Sequence, residues 1–353
     1  MQPFIFDLPR MRVVFGPGRR SQLKQEVEAL GLKRVLVIAD PIHEGTATLL
    51  SDQLGELSAG VYTQVAVHVP VDIADAGKAR IKAVGADGCV SLGGGSSIGL
   101  AKAIALELGT PIIAIPTTYA GSEMTPVWGL TAGALKRTGK DLKVQPKSVI
   151  YDPELLTSLP PKVAGPSGIN AMAHCVEGLY AENRNPLMST LAQEGIRAMA
   201  EALPLVCRNP KDLDAQGGAL YGAWMGGIVL GSVGMALHHK LCHTLGGTFN
   251  LPHADTHAVV LPYATAFNLD AAPDARRRLA AALGTENIAS ALHSLGQSVG
   301  APASLKAMGL TPQDLDKAAD LAIQTPYFNP RPLTRESIRQ LLEDAYQGII
   351  PRP

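Results

Sequence analysis

The stretch that decides the fold runs Gly88-Cys89-Val90-Ser91-Leu92-Gly93-Gly94-Gly95-Ser96-Ser97. Its apolar half is typical of a buried strand, its glycines form a turn, and residues 98–108 continue as a helix. Glycine lets the backbone approach a phosphate closely, and a helix start presents free N–H groups and a favourable dipole. We therefore predict that Gly94, Gly95 and Ser96 bind phosphate. The alternative is a plain strand-to-helix turn, since the stretch is not a GxGxxG fingerprint.

Short apolar runs and amphipathic segments alternate on both sides of this turn. Strands are predicted at 12–15, 35–40, 61–69, 88–92 and 111–116, with helices at 21–30 and 75–84 among them. This order favours parallel strands joined by helical crossovers. Asp40, at the end of the second strand, is placed either to bind a ribose hydroxyl or to cap a turn. Thr117 and Thr118 follow the last strand with hydroxyls suited to a nucleotide, a substrate or a polar loop.

The pattern changes after Asp152-Pro153, where helical segments take over. They are predicted at 163–182, 187–207, 213–237, 238–247, 273–283, 287–298, 312–324 and 334–347. The predicted fold class is an α/β N-terminal dinucleotide-binding domain with a mostly parallel sheet, followed by an all-α C-terminal domain. We assign 1–158 to the first domain and 159–353 to the second, which would hold the substrate and the catalytic groups.

Composition restricts the partners. The 353 residues contain 31 Lys plus Arg and 31 Asp plus Glu, so no net field attracts nucleic acid or an anionic membrane. Four cysteines form no framework, and no signal segment is evident, so a reducing cytoplasm is expected. Residues 217–237 are uncharged but include seven glycines. They favour a tightly packed core helix over a membrane span.

Histidines and one carboxamide show helical spacing in the second domain. Asn170 and His174 stand four apart, as do His239 and His243, and His253 follows. Residues i and i+4 share a helix face, so each pair can converge on one point. Imidazole is a common ligand of zinc and iron, which makes the spacing typical of a metal-type active site. The alternative is a set of helix histidines with ordinary packing roles. A metal site would more naturally have a carboxylate at position 170.

Taken together, these segments resemble the iron-containing alcohol dehydrogenase family. Further matches are Gly16-Pro17-Gly18, Gly121-Ser122-Glu123 and the spacing His239-x3-His243-x9-His253. The resemblance implies a nicotinamide-binding α/β domain, a helical domain, an active site between them and, by family habit, a homodimer. It implies metal ligation at the positions of Asn170, His174, His239 and His253, with His243 beside the nicotinamide. On the cofactor it implies Gly94, Gly95 and Ser96 at the pyrophosphate, Asp40 and Lys147 near the ribose, and Thr117 and Thr118 nearby.

Two departures from that family pattern bear on the chemistry. Its metal-dependent members have Asp where this chain has Asn170 and Gly99. Without an anionic ligand, divalent metal affinity should fall, so we expect no metal; if one binds, His174, His239 and His253 would hold it. Residues 99–104, 117–126 and 329–332 resemble a branch whose members reduce a carbon–carbon double bond conjugated to a ketone, in the degradation of aromatic compounds. NADH is the expected reductant, with NADPH possible.

The expected substrate is a small dicarboxylate, and its reduction passes through a delocalised enolate that hydrogen-bond donors can stabilise. We predict His243 as the proton donor or oxyanion stabiliser, with Asn170, His174, His239 and His253 binding substrate oxygens. Arg331 is a candidate for a substrate carboxylate, or else a solvated loop arginine. Two other hypotheses remain: a metal-dependent alcohol or polyol dehydrogenase, and a nucleotide-sensing or scaffold protein without activity.

Overall fold

The computed structural model describes residues 4–7, 10–133 and 135–350. Within them the chain forms two compact units that divide between Ser158 and Leu159. One is an α/β unit and the other is helical. Residues 4–7, which the sequence assigned to the first domain, group with the helical unit instead.

The α/β unit is built on a parallel sheet. Its described strands are β1 (Arg12–Phe15), β2 (Val35–Ala39), β3 (Ser58–Tyr62), β4 (Gly88–Gly93), β5 (Ile112–Pro116), β6 (Val127–Ala132), β7 (Leu135–Lys140) and β8 (Ser148–Tyr151). Six strands form one sheet in the order β1-β8-β5-β4-β2-β3, all parallel, while β6 and β7 form a separate antiparallel pair. The main helices are α1 (Leu23–Ala29), α2 (Glu44–Leu54), α3 (Val71–Ala83) and α4 (Gly95–Leu108). The predicted fold class is confirmed.

Alternation along β2 shows why the sheet is covered on both faces. Val35, Val37 and Ala39 belong to a core shared with α1 and α2, whereas Leu36 and Ile38 belong to a core shared with α3 and α4. Successive side chains of a strand point to opposite faces, so a strand apolar on both faces must be buried on both.

One prediction for this unit differs from the structure, and two features of the structure were not predicted. The third strand was placed at 61–69, but β3 is Ser58–Tyr62. The apolar residues that follow leave the sheet: His68 and Val69 have φ values of 65° and 50°, and Val69 packs with α3 and α4. The β6–β7 hairpin and β8 were not predicted. β8 lies between β1 and β5, a placement decided by pairing between distant segments.

The helical unit contains nine described helices. They are α5 (Pro161–Gly178), α6 (Pro186–Arg208), α7 (Leu213–Ser232), α8 (Leu237–Phe249), α9 (His253–Leu269), α10 (Pro273–Leu283), α11 (Ile288–Ser298), α12 (Pro312–Ile323) and α13 (Arg335–Gln347). Local signals explain several starts. Proline occupies the first turn of α5, α6, α10 and α12, where its missing N–H has no helical partner. Asn185 and Asp212 cap α6 and α7 through their side chains.

One helix was missed and one boundary was misplaced. α9 was not predicted because Pro262 lies inside it and nearly all of its residues are buried, which removes the one-sided apolar pattern. The predicted helix at 213–237 extends five residues too far, because α7 ends at Ser232. The next helix was predicted at 238–247, and α8 begins at Leu237. The residues between them are held by a side chain from another helix, described below.

Close packing accounts for the small residues of α7. A Cβ at Gly226 would lie 2.6 Å from the carbonyl oxygen of Ala171 in α5, and a Cβ at Gly195 in α6 would lie 2.7 Å from Cys175 Sγ. The uncharged segment is therefore an interior helix surface that neighbouring backbones approach.

No single helix of the described chain is long and apolar enough for a membrane span. The pair α7 and α8 passes that test only together, with a 93° bend between them.

We expect Gly165→Ala to destabilise the helical unit. A Cβ at Gly165 would stand 1.9 Å from the carbonyl oxygen of Val299, and backbone cannot move aside as a side-chain tip can. The free energy of unfolding should fall by about 3 kcal/mol, as for other overpacked cores. Urea unfolding followed by circular dichroism would measure the change.

Gly247→Ala is the matched control, since nothing lies within 4 Å of a Cβ there and alanine favours the helix. Its unfolding midpoint should stay level or rise. Equal midpoints for the two variants would contradict the packing at Gly165.

Candidate active site

The carboxyl edge of the parallel sheet gathers the predicted cofactor residues. Asp40 follows β2, Gly94 follows β4, and Thr117 follows β5, and these three strands are neighbours in the sheet. The Thr117 N–H donates to the Gly93 carbonyl at 3.1 Å, and a Cβ at Gly94 would lie 3.1 Å from Thr118 Cγ2. Ligands of open α/β sheets bind at this edge.

The glycine turn leaves room in front of α4. Gly93 has φ +144°, and a Cβ there would meet Ser97 Oγ at 2.4 Å, so this position needs glycine. In contrast, nothing lies within 4 Å of a Cβ built at Gly95, the first residue of α4. Since Gly94 caps the helix without a side chain, no cap side chain binds the first-turn N–H groups. The arrangement suits a phosphate.

The structure adds two residues that sequence reasoning missed at this edge. Ser97 Oγ donates to Asp40 Oδ2 at 2.8 Å, so the buried serine of the pair orients the acid while Ser96 stays half-buried. His43 Nε2 lies 3.0 Å from Thr117 Oγ1, which links the segment after β2 to the segment after β5. Burial lowers the pKa of His43, although Asp40 opposes the shift. The available signal was the spacing of His43 three residues after Asp40.

Lys147 requires a correction. It was expected near the ribose, but it precedes β8, and its backbone N–H donates to the Ile112 carbonyl at the start of β5. The strands are parallel, so Lys147 stands at the amino edge of the sheet, opposite Asp40 and Gly94. The side chain extends over exposed backbone, with Nζ 3.5 Å from the Leu142 carbonyl oxygen.

The structure explains the glycine at position 99. A Cβ there would lie 2.8 Å from Val69 Cγ2, and Val69 is 5 % exposed. Val69 holds a left-handed backbone that a β-branched residue seldom adopts. An acidic side chain at position 99 would collide with Val69, so an apolar group closes the place where the family pattern has a carboxylate.

Three helices of the helical unit bring seven polar residues together. They are Asn170 and His174 on α5, His238, His239 and His243 on α8, and His253 and His257 on α9. Ring centroids lie 5.1 Å apart for His174 and His239, 4.9 Å for His239 and His257, and 4.2 Å for His253 and His257. The five predicted residues thus share one place, and His238 and His257 join them. We refer to these seven residues as the imidazole cluster.

The imidazole cluster has a buried part and an exposed part. Asn170, His174, His238, His239 and His257 are at most 6 % exposed. His243 and His253 are exposed, and their rings lie nearly parallel with centroids 6.4 Å apart. The two exposed rings are therefore accessible to solvent, while the other imidazoles and the amide are shielded from it.

Several buried polar atoms of the cluster lack a hydrogen-bond partner among the described residues. They are Asn170 Oδ1, His174 Nδ1, His239 Nε2 and both ring nitrogens of His257. Buried polar atoms are almost always hydrogen-bonded, because an unpaired one costs free energy. Their concentration at one place indicates a site whose partner atoms come from a ligand.

Glu177 is the functional residue that sequence reasoning missed. It is fully buried, and its Oε2 accepts from His239 Nδ1 at 2.7 Å and from the Ala236 N–H at 3.0 Å, while Oε1 accepts from the His238 N–H at 2.8 Å. A signal existed: Glu177 is three residues after His174 and seven after Asn170, on the same face of α5. A carboxylate therefore does lie beside the imidazole cluster.

These contacts assign the ring protons of two imidazoles. His239 donates through Nδ1 to Glu177, so Nε2 has the lone pair. His238 donates through Nε2 to the His257 carbonyl oxygen at 2.9 Å, so its Nδ1 has the lone pair. Each ring is thus held in one tautomer by its own acceptor, which is Glu177 for His239 and the His257 carbonyl oxygen for His238.

The buried imidazoles are neutral. Burial lowers the pKa of His174, His239 and His257 well below the usual range, and neighbouring histidines add to the effect. For His238, burial and then His239 lower the pKa to about 4. Burial raises the pKa of Glu177, whereas His238 and the backbone N–H donors oppose that rise.

The predicted metal ligands do not fit a divalent ion well. Among the described residues, the histidines whose ligand atoms lie within 4.8 Å of one another are His238, His239 and His257, not the set of His174, His239 and His253. Two of these three rings are already engaged through one nitrogen, His238 Nε2 with the His257 carbonyl oxygen and His239 Nδ1 with Glu177. Asn170 adds no charge. We therefore derive no catalytic step through a metal.

Arg331 also lies elsewhere. Its guanidinium stacks on the Phe267 ring at 4.2 Å and donates to the Phe267 carbonyl at 3.4 Å. Phe267 is ten residues beyond His257, roughly 15 Å along α9. The predicted role in substrate binding is not supported by this position, because the guanidinium is engaged on another part of the helix.

Two family models and several known proteins match this chain. Residues 9–153 match the family model described as iron-containing alcohol dehydrogenase, and residues 165–346 match its C-terminal counterpart. A maleylacetate reductase of Burkholderia cepacia is 49 % identical over 99 % of this chain and 100 % of its own length.

Two crystal structures superpose over nearly the whole chain. A putative alcohol dehydrogenase from Ralstonia eutropha JMP134 is 54 % identical, with a TM-score of 0.98 and full coverage of both chains. A maleylacetate reductase from Rhizobium sp. strain MTP-10005 is 49 % identical, with a TM-score of 0.97 over 99 % of this chain and 100 % of its own.

We expect Gly95→Ala to weaken nicotinamide dinucleotide binding without destabilising the protein. The added methyl enters open space in front of α4, where a phosphate would approach the first-turn N–H groups. Isothermal titration with NADH should show a Kd raised about tenfold or more, equivalent to roughly 1.4 kcal/mol. The melting temperature should not fall.

Gly45→Ala is the control, as another glycine near a helix start with nothing within 4 Å of its Cβ. It should leave the Kd unchanged. Unaltered NADH affinity in Gly95→Ala would place the cofactor phosphate elsewhere.

Stability should fall on mild acidification. The native state holds neutral imidazoles, whereas the unfolded chain takes up protons near pH 6.5, so protonation favours unfolding. Stability is complete above about pH 6.5 and lost as the pH falls toward 4, by roughly 3 kcal/mol for His238 alone. Urea unfolding between pH 4.5 and 7.5, as approximate limits of that window, would measure the slope.

His257→Asn should flatten this pH dependence, because one proton-excluding imidazole is removed. His68→Asn, at an exposed site with a left-handed backbone that asparagine tolerates, should not. A slope unchanged by His257→Asn would show that His257 is not held neutral.

Proposed function

This chain belongs to the iron-containing alcohol dehydrogenase family, and we propose that within it the protein reduces maleylacetate to 3-oxoadipate. The observation behind the proposal is the set of partnerless buried atoms on Asn170, His174, His239 and His257. These are neutral hydrogen-bonding groups, with an amide in place of an anionic metal ligand. Full-length similarity to maleylacetate reductases supports the same substrate.

The chemistry of the substrate suits such a site. Maleylacetate has a carbon–carbon double bond conjugated to a ketone. Hydride from NADH adds to the carbon β to the ketone, the double-bond electrons move toward the ketone oxygen, and an enolate forms. A proton then adds to the α carbon, so that one NADH and one proton are consumed. A delocalised enolate is less basic than the alkoxide of a simple ketone reduction, so hydrogen bonds can stabilise it without a metal.

The exposed and the buried residues of the imidazole cluster have different proposed roles. His243 and His253 are exposed, and His243 is our candidate for the proton donor, since it can exchange protons with solvent. His174 and His257 have ring nitrogens without partners and can turn an N–H toward a substrate oxygen. Asn170 offers an amide of the same kind. A site of uncharged donors binds the oxygens without placing a fixed cation there.

The cofactor belongs to the α/β unit. We propose NADH as the reductant, with the pyrophosphate at Gly94, Gly95 and Ser96. Asp40, oriented by Ser97, would accept hydrogen bonds from ribose hydroxyls. An acid at that place repels an additional phosphate, which is why NADH is favoured over NADPH.

A second candidate function has one observation in its favour. The close approach of His238, His239 and His257 would allow a transition metal to bind, as in a metal-dependent alcohol or polyol dehydrogenase. The two functions differ in their response to chelation.

We expect the purified protein to oxidise NADH with maleylacetate after exhaustive treatment with a chelator. The rate should stay within about twofold of the untreated protein, because no charged ligand anchors an ion that the reaction needs. Absorbance of NADH would follow the rate, and NMR would identify 3-oxoadipate. Activity lost on chelation and regained with iron or zinc would support the second candidate. No NADH oxidation with any enone or aldehyde would overturn both.

Asn170→Asp gives a matched test of the same idea. Restoring an anionic oxygen at this buried place should raise the affinity for a divalent ion, by two or more orders of magnitude on the reasoning that ligand charge controls affinity. Metal content after dialysis against zinc would measure it. The variant should bind zinc and lose reductase activity with maleylacetate, while the unchanged protein stays metal-poor.

A further inference from the structure

The first turn of α8 has no cap of its own. Ala236 occupies the N-cap position and has no side-chain oxygen, so the N–H groups at the helix start need partners from elsewhere. Glu177 supplies them from α5. Its carboxylate accepts from the N–H groups of Ala236 and His238 at 3.0 and 2.8 Å, and from the His239 N–H at 3.3 Å.

The same carboxylate contacts one imidazole. Glu177 Oε2 is 2.7 Å from His239 Nδ1, and both residues are buried. Three backbone N–H donors converge on this carboxylate, an arrangement that favours an ionised acceptor. His239 Nδ1 must then be the donor. The unpaired Nε2 of His239 consequently faces the cluster with its lone pair.

We propose that Glu177 is a positioning residue: it holds the first turn of α8 and fixes His239 in the Nδ1–H tautomer, so that Nε2 is an acceptor in the active site. Glu177 is not one of the residues that we propose to contact the substrate. The kinetic consequence of this assignment rests on the proposed function, whereas its consequence for the tautomer does not.

The fixed tautomer sets the order of donors and acceptors in the cluster. With His239 Nε2 as an acceptor, the N–H donors for the enolate come from other groups: the His174 and His257 rings, which have partnerless nitrogens, and the Asn170 amide. His238 is fixed in the other sense, since its Nε2 donates to the His257 carbonyl. An inverted His239 would present a donor where an acceptor belongs and would compete for the substrate oxygen.

An apolar side chain at position 177 should release the tautomer. Methionine has a similar length but offers His239 Nδ1 no oxygen, so the ring proton is no longer confined to Nδ1. Glutamine should keep its oxygen at the place of Oε2, because that atom also accepts from the Ala236 and His239 N–H groups, and it should therefore retain the Nδ1–H tautomer. Loss of a carboxylate that fixes a histidine tautomer is known to lower turnover strongly, and the serine-protease triad is the reference case.

The test compares Glu177→Met with Glu177→Gln in the full chain. Nitrogen-15 NMR of histidine-labelled protein would report the tautomer, with the His239 signals assigned by their absence in His239→Asn. We expect Nδ1–H in the unchanged protein and in Glu177→Gln, and a mixture of the two tautomers in Glu177→Met. The kcat of Glu177→Met with maleylacetate should fall roughly 10- to 100-fold, as for other residues that orient a functional histidine, and KM for NADH should stay unchanged.

Asp152→Asn is the matched control. Asp152 is likewise fully buried and accepts from the backbone N–H groups of Gly18 and Arg20, but it contacts no histidine. Asp152→Asn should destabilise the protein at least as much as Glu177→Gln does. It should alter neither a histidine tautomer nor the kcat. A loss of kcat in Glu177→Met without a change of tautomer would reduce Glu177 to a structural cap and overturn the proposal.

Two outcomes separate this inference from the proposed function. An Nε2–H tautomer of His239 in the unchanged protein overturns the inference even if Glu177→Met fails to fold. The expected tautomers in a protein that does not reduce maleylacetate would sustain the assignment of Glu177 and reject the proposed reaction instead.

Discussion

A buried carboxylate between two helices is the constraint on which the candidate active site depends. A charge taken out of water must be met by donors, and Glu177 meets four of them at the start of α8. These contacts cap the start of α8 at Leu237 and hold the backbone of His238 and His239 and the ring of His239. The geometry of the site therefore depends on the donors that the buried Glu177 carboxylate requires.

The neutrality of the remaining cluster follows from the same burial. His174, His238, His239 and His257 stand close together in a place that excludes water, so each additional proton would be repelled by its neighbours. Such a site accommodates charge by hydrogen bonding and not by ion pairing. That property suits a delocalised enolate better than a localised alkoxide, and it agrees with an amide at Asn170.

In the α/β unit, the turn between β4 and α4 depends on glycine. Gly93 permits the left-handed turn, and Gly95 leaves the start of α4 open for a phosphate. At Gly99 the absent side chain has a different cause, since Val69 fills the adjacent space at the cost of a strained backbone. Both departures from the family pattern thus replace an acid with a neutral group, one near the expected cofactor and one in the imidazole cluster.

The sequence by itself determined the parallel α/β unit, the helical unit, the glycine turn and the five predicted members of the imidazole cluster. Those features depend on periodicity, turn chemistry and i,i+4 spacing, which are local. Only the tertiary structure decided that Lys147 lies at the far edge of the sheet, that Arg331 stacks on Phe267, and that His257 belongs to the cluster. It also placed β8 within the sheet and revealed α9, a helix without a one-sided pattern because it is buried nearly all round. Glu177 shows the reason most clearly: its partners lie about sixty residues away, and a charge reveals its role only when the groups that desolvate and bind it are known.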